Sequence, residues 1–140
     1  PLFRRFTLPA LNRAQLEPDP SWFHWASTAL AQADQAREIE GFGTPSTGLV
    51  ATGDRFIGNA AVLDALREAL PGLRAVEMEG AAVAQVAEQE GIPWLVLRVI
   101  SDGADANAAQ SFGDFIQRYD RRAWCLIQAL LLRAEQAPQQ

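Results

Sequence analysis

Residues 73–102 read LRAVEMEGAAVAQVAEQEGIPWLVLRVISD, and this stretch decides the fold class. A short apolar run (73–76) is followed by a helical run (79–90) that stops at Gly91, and then by a second apolar run (94–100). Apolar runs on either side of a helix are typical of parallel strands, because parallel strands need a crossover connection. The stretch therefore predicts a strand, a helix and a strand of one α/β sheet.

The residues before this stretch continue the alternation. Asp19 and Pro20 are an N-cap and a first-turn proline, and they predict a helix that runs to about Glu38. A strand is predicted over 48–52 and a helix over 59–70. Consecutive right-handed strand–helix–strand units bring the carboxyl ends of their strands to one edge of a sheet.

The residues after this stretch predict one more helix. A loop over 103–110 leads to Ser111, which is predicted to cap a long helix reaching Arg133, and 134–140 form a polar tail. The apolar character of 94–100 indicates an inner strand that is buried on both faces. The pattern as a whole predicts a parallel sheet covered by helices.

Composition narrows the class of protein. The 140 residues are 49% hydrophobic and 21% charged, which is ordinary for one globular domain. The net charge is −5, and the 12 basic residues form no long run, so a nucleic-acid partner is not expected. No stretch approaches the roughly 18 consecutive apolar residues of a membrane span, so no association with a membrane is expected.

Cysteine and methionine each occur once, and these two residues bear on the cellular location of the protein and on the start of the chain. Cys125 is the single cysteine, so no disulfide framework or cysteine metal site is expected, and a cytoplasmic location is predicted. Met78 is the single methionine, so residue 1 is not an initiator, and residues 1–18 read as a loop. We therefore expect an N-terminal segment that is missing from these residues.

Acidic residues lie where the predicted strands end. Asp54 follows the first strand, Glu77 and Glu79 follow the second, and Asp102 follows the third. Taken singly, such residues are common in turns and at helix starts. Ligands of open α/β sheets bind beyond the carboxyl ends of the strands, however, so convergence of these acids predicts a binding site there.

Three segments around these acids carry a resemblance. Residues 48–57 (GLVATGDRFI), 76–83 (VEMEGAAV) and 98–105 (RVISDGAD), in this order and separation, resemble the signature segments of the purine nucleoside phosphorylase and nucleosidase superfamily. Within it, the likeness is greatest to the 5′-methylthioadenosine/S-adenosylhomocysteine nucleosidases, and residues 111–115 (SFGDF) resemble their next helix start. The resemblance implies a three-layer α/β/α fold with a central mixed sheet, of which 1–140 would be the C-terminal portion.

The resemblance implies a role for three polar residues. Asp102 would be the general acid that protonates N7 of a purine as the N-glycosidic bond breaks, and Ser101 would help to hold it. Glu79 would bind the ribose hydroxyls as an ionised carboxylate. Bond cleavage places negative charge on the base and positive charge on the sugar, so an acid at the base and an anion at the ribose each stabilise a developing charge.

The resemblance also implies the rest of the binding site. Phe56 would pack on the base while the backbone of Ile57 reads its edge, and Met78 would contact the ribose. Phe112 would line the pocket for the 5′ substituent. Glu77 is assigned to the same site, either as a neighbour of the pocket or as a strand-end charge. No cofactor and no metal are implied.

Three functions remain open from the sequence. The first is hydrolysis of methylthioadenosine or S-adenosylhomocysteine to release adenine, for which the resemblance implies a homodimer whose partner chain closes the 5′ pocket. The second is phosphorolysis by a member of the same superfamily, and the third is non-catalytic nucleoside binding. The resemblance places the group that activates the attacking water in the first half of such proteins. Arg55 and Arg98 are interpreted as structural or solvated residues and not as phosphate ligands, Arg98 because it lies in a predicted buried strand.

Overall fold

A computed structural model describes residues 6–119 and 123–139, and it confirms the predicted alternation of helices and strands between residues 20 and 90. The elements, in chain order, are α1 (Pro20–Gln35), β1 (Leu49–Thr52), α2 (Ala60–Ala69), β2 (Leu73–Glu77), α3 (Gly80–Glu90), α4 (Ala108–Tyr119), α5 (Ala123–Leu131) and a 3₁₀ turn (Ala134–Gln136). Within the described residues, the sheet consists of β1 and β2, which run parallel. The crossover between them is α2, as a parallel pair requires.

Short-range signals set the ends of these helices. The side chain of Asp19 accepts hydrogen bonds from two N–H groups of the first turn of α1, and Asn59 does the same for α2. Gly91 ends α3 in the left-handed conformation, with φ at 67°. The helix α1 ends at Gln35, before the predicted Glu38, because Arg37 is left-handed with φ at 59° and cannot continue a helix.

The core lies between the first and last helices. Its buried members are Leu30, Ala33, Ile39, Leu126 and Ala129. Trp25 of α1 also contacts the residues that follow α5, because its indole N–H donates to the carbonyl oxygen of Arg133 at 3.0 Å. The packing of α1 against α5 therefore brings together parts of the chain that lie about one hundred residues apart.

The prediction of a buried inner strand over 94–100 is wrong. These residues have no regular secondary structure, and none of them is fully buried; Ile100 is 61% exposed. An apolar run becomes a strand only when a neighbouring strand supplies N–H and C=O partners in register, and no described strand pairs with this one. The segment still packs inwards at Val99, which contacts the core.

The last helix also differs from its prediction. The helix α4 begins at Ala108, three residues before the predicted cap Ser111, because the Ser111 N–H already donates to the carbonyl oxygen of Asn107. The helix α5 ends at Leu131, and the predicted continuity with α4 falls on residues 120–122, which lie outside the described residues. The predicted tail contains the 3₁₀ turn, although its last residue also lies outside them.

The predicted N-terminal loop is described from residue 6 onwards. Residues 6–18 contain turns and one isolated antiparallel bridge, between Leu8 and Arg13, and residues 1–5 lie outside the described part. None of the helices that the structure describes has the length and apolar character needed to cross a bilayer.

Candidate active site

The carboxyl ends of β1 and β2 lie side by side. Thr52 and Glu77 are partners in the parallel register and are the last residues of their strands. The next N–H group, that of Gly53, donates to the carbonyl oxygen of Glu77 at 2.9 Å. The structure therefore places the Gly53 turn and the two glutamates at one edge of the sheet, as the strand order predicts.

Glu77 faces inwards, with only 10% of its side chain exposed. Its Oε2 accepts hydrogen bonds from the backbone N–H of Gly80 at 2.7 Å and from that of Glu79 at 3.1 Å. Its Oε1 accepts the hydroxyl of Thr52. The carboxylate thus satisfies donors at the start of α3, where negative charge is also favoured by the helix dipole.

Glu79 is different, although it lies only two residues further on. It is the N-cap residue of α3, but its side chain makes no capping hydrogen bond and is 67% exposed. Its Oε2 lies 3.3 Å from Nη2 of Arg98, and the same nitrogen also donates to Glu77. Arg98 therefore links the 94–100 segment to both glutamates.

The Ser101–Asp102 pair has its own hydrogen bonds. The Ser101 hydroxyl donates to Asp102 Oδ2 at 2.7 Å, and the backbone N–H of Ala104 donates to Oδ1 at 2.8 Å. A hydroxyl can donate or accept, so the contact with Ser101 can persist whether or not Asp102 carries a proton. The arrangement is compatible with a carboxyl group that gives up a proton and takes one back.

The loop that follows Asp102 is tight. Ala104 is buried and has φ at 53°, a left-handed conformation that is uncommon for a residue with a side chain. A Cβ atom on Gly58 would lie 3.6 Å from the carbonyl oxygen of Asp105 and 3.4 Å from the ring of Phe56. The loop after β1 therefore approaches the loop after Asp102, so all three signature segments meet in one region.

The apolar residues assigned to the site are accessible. Phe56, Met78 and Phe112 are 55%, 46% and 43% exposed, and Ile57 is half-buried. Large exposed apolar side chains beside polar groups are typical of surfaces that a ligand or another chain covers. The Phe56 ring and the carbonyl oxygen of Asp105 are both next to Gly58, Met78 lies between the two glutamates in the sequence, and Phe112 lies on α4. Their contacts with a ligand stay predictions.

Two residues of this region were not found from the sequence as site residues. Thr52 is the last residue of an otherwise apolar strand, and Arg98 is the one charge inside an apolar run. An arginine within an apolar run usually needs a carboxylate partner, and this requirement could have indicated from the sequence that Arg98 pairs with one of the glutamates. The interpretation of Arg98 as part of a buried strand is wrong, because a third of its side chain is exposed and it contacts Glu77 and Glu79.

A separate cavity lies away from these residues. It has a volume of about 760 Å³ and lies between α1 and the C-terminal residues, where Trp25 and His24 line it. It contains none of the residues assigned to the site. Within residues 6–119 and 123–139, no three histidine, cysteine or acidic side chains are grouped so that they could hold a metal ion.

Comparison with known proteins defines the family. The family model described as the phosphorylase superfamily matches residues 3–132. The match covers most of the chain, including all three signature segments, and the chain belongs to this superfamily.

Individual relatives give a narrower similarity than the superfamily does. The 5′-methylthioadenosine/S-adenosylhomocysteine nucleosidase of Shewanella frigidimarina is 34% identical over 122 residues, which are 87% of this chain and 50% of that protein. The structure of the corresponding nucleosidase from S. pneumoniae with a transition-state inhibitor superposes with a TM-score of 0.74 at 34% identity, covering 89% of this chain and 50% of that one. Futalosine hydrolase of Helicobacter pylori superposes with a TM-score of 0.68 at 29% identity, covering 83% and 46%.

These similarities confirm the predicted family and the α/β fold class of nucleoside phosphorylases. The chain spans about half the length of the curated relatives that it matches.

Proposed function

We propose that the full protein hydrolyses the N-glycosidic bond of 5′-methylthioadenosine and S-adenosylhomocysteine and releases adenine. The observation that supports the proposal is the approach of the three signature segments to one another. The strands β1 and β2 pair, Arg98 contacts Glu77 and Glu79, and Gly58 lies next to the carbonyl oxygen of Asp105. The names of the relatives support the same reaction. The chain would form the C-terminal portion of a single domain.

In this reaction, the bond between the ribose C1′ and the purine N9 breaks and its electron pair moves to the base. Asp102 donates its proton to N7, which neutralises the departing base, and the Ser101 hydroxyl holds the carboxyl group. Glu79 accepts hydrogen bonds from the ribose hydroxyls, and its negative charge stabilises the cationic sugar. A water oxygen then bonds to C1′ and loses its proton to a base that the described residues do not identify.

The apolar residues complete the proposed site. Phe56 stacks on the purine, and the backbone of Ile57 hydrogen bonds to its edge. Met78 contacts the ribose, and Phe112 lines the pocket for the 5′ substituent. The exposure of the three large side chains leaves surface for these contacts.

A second candidate differs only in the substrate. The similarity to futalosine hydrolase of H. pylori supports a different nucleoside, futalosine, as the substrate. Phosphorolysis is a further candidate, which the superfamily match supports. The three candidates make the same use of Asp102 and differ in the nucleoside or in the attacking nucleophile.

Adenine release by the full-length protein tests the proposal. We expect release from methylthioadenosine and S-adenosylhomocysteine in phosphate-free buffer, at a rate that added phosphate does not raise. Chromatography of the products distinguishes free methylthioribose from its 1-phosphate. A strict requirement for phosphate would replace hydrolysis by phosphorolysis, and a preference for futalosine would replace the substrate. Binding of methylthioadenosine without any turnover would support the non-catalytic alternative.

We further propose that the protein is a homodimer in which the partner closes the pocket for the 5′ substituent. The resemblance implies this arrangement, and exposed apolar side chains on α5 support a contact surface; they include Trp124, Ile127 and Leu131. Light scattering of the full-length protein should give the mass of two chains at micromolar concentration. The mass of one chain would refute the dimer without affecting the proposed reaction.

The cytoplasmic location predicted from the single cysteine is also part of the proposal. In the structure Cys125 is a free thiol on the exposed side of α5, and a reducing compartment keeps such a thiol reduced. Fractionation of cells that produce the protein at its native level tests the location, and recovery outside the cytoplasm would contradict it.

A further inference from the structure

The start of α3 is capped in an unusual way. Glu79 is the N-cap residue, yet its side chain makes no capping hydrogen bond. The N–H groups of Glu79 and Gly80 donate instead to Glu77, and that of Ala81 donates to Thr52 at 2.8 Å. An N-cap side chain normally satisfies donors of this turn itself. Here other residues cap the helix, so the Glu79 carboxylate is not engaged by the backbone.

Thr52 joins three elements through one hydroxyl group. Its Oγ1 donates to Glu77 Oε1 at the end of β2 and accepts the Ala81 N–H of α3, while the residue itself ends β1. The hydroxyl therefore acts as a donor to one partner and as an acceptor for the other. Substitution by an isosteric apolar side chain would leave Glu77 without this donor and Ala81 without its acceptor.

Arg98 completes the arrangement from the third segment. Its Nη2 donates to Glu77, whose side chain is only 10% exposed, and lies 3.3 Å from Glu79. A carboxylate that is largely buried is stable only when it is paired and hydrogen-bonded, and Glu77 has both kinds of partner. The guanidinium group links Glu79 to Glu77, because one of its nitrogens contacts both carboxylates.

We propose that Thr52, Glu77 and Arg98 form a positioning array for Glu79. The array caps α3 in place of Glu79 and holds the Glu79 carboxylate where the ribose hydroxyls bind. Its three members are positioning residues, because they act through Glu79. This inference rests on the proposed function, and it assigns Glu77 a role in placing Glu79 as an alternative to direct contact with the nucleoside.

Substitution of Thr52 is the sharpest test, because the side chain is small and uncharged. In the full-length protein, Thr52→Val keeps the shape of the side chain and removes the hydroxyl. We expect kcat/KM for adenine release to fall about 10- to 100-fold, since small misplacements of a binding group cost this much. Thr52→Ser restores the hydroxyl and should recover most of the lost activity. Thr47→Val, at an exposed position before β1, is the matched control.

A double-mutant cycle separates positioning from a merely structural effect. If Thr52 acts through Glu79, adding Thr52→Val to the Glu79→Gln variant should lower kcat/KM by less than about twofold. The array would be overturned if the two substitutions lowered kcat/KM independently, so that their effects multiplied in the double variant. Full activity in Thr52→Val would also overturn it. If Thr52→Val fails to fold, as judged by circular dichroism and thermal melting, Thr52→Ala removes the same hydroxyl and takes its place in the cycle.

The test also distinguishes failure of the array from failure of the proposed reaction. If the unsubstituted protein releases no adenine, the proposed function is wrong, and methylthioadenosine affinity measured by calorimetry becomes the quantity followed in the cycle. The array then predicts that Thr52→Val and Glu79→Gln each weaken methylthioadenosine binding, and that the double variant binds about as weakly as the weaker of the two single variants. Independent effects on affinity would overturn it in that case as well.

Discussion

Replacement of Asp102 by Asn should lower the rate of adenine release by about 10²- to 10⁴-fold, the usual contribution of general acid catalysis. The Asn side chain keeps an oxygen that can accept the Ala104 N–H, so the tight loop is preserved. It has no acidic proton to donate to N7, however, and the departing base would carry its negative charge uncompensated. The loss should appear mainly in kcat, because the proton moves in the transition state.

Steady-state kinetics of the full-length protein on methylthioadenosine measure this effect. Asp64→Asn is the matched control, because Asp64 is an exposed residue of α2 whose 3.5 Å pair with Arg67 contributes little to stability. Circular dichroism and a melting curve show whether each variant is folded. Activity of Asp102→Asn within about threefold of the unsubstituted protein would refute the assignment of the general acid.

Replacement of Glu79 by Gln should have the second largest effect. A hydrogen bond to a charged group contributes about 1.5–3 kcal/mol, which corresponds to a loss of about 10- to 100-fold in kcat/KM. Gln retains one acceptor oxygen but lacks the negative charge that stabilises the cationic sugar. Because Glu79 does not cap α3 and is 67% exposed, the thermal stability of the protein should change little.

Glu68→Gln provides the control for this substitution. Glu68 lies on the exposed surface of α2, so the same change of charge occurs away from the site. A 2′-deoxy or 3′-deoxy analogue of the substrate adds a second measurement, because removing the hydroxyl that Glu79 binds should reduce the difference between the two enzymes. An unchanged nucleoside affinity and rate in Glu79→Gln would argue against the ribose role.

Much of the fold could be predicted because its signals are local. The strands β1 and β2 and the helices α2 and α3 lie within a residue or two of their predicted bounds. Caps such as Asn59 and Gly91 act on donors and acceptors within one helical turn, and apolar periodicity is also read over a few residues. The same local information placed Asp54, Glu77 and Glu79 at the ends of β1 and β2.

The fate of 94–100 could not be predicted in this way. A run of apolar residues indicates that the segment tends to be extended, but a strand also needs a neighbour in register. The described residues contain no such neighbour, so Leu97 and Ile100 remain exposed. The start of α4 was missed for a related reason, since the loop from Asp102 to Asn107 makes its own hydrogen bonds and begins the helix early.

The two glutamates show where local information ends. Residue types and spacing determine the α/β alternation, the family resemblance and the presence of Glu77 and Glu79 beside the start of α3, because these depend on near neighbours. The two residues look alike in the sequence. Only the tertiary structure distinguishes them, since the Thr52 hydroxyl, from 25 positions away, donates to Glu77 alone, whereas Arg98 contacts both carboxylates. The additional donors hold the Glu77 carboxylate in the fold, while the Glu79 carboxylate has the Arg98 contact and is 67% exposed.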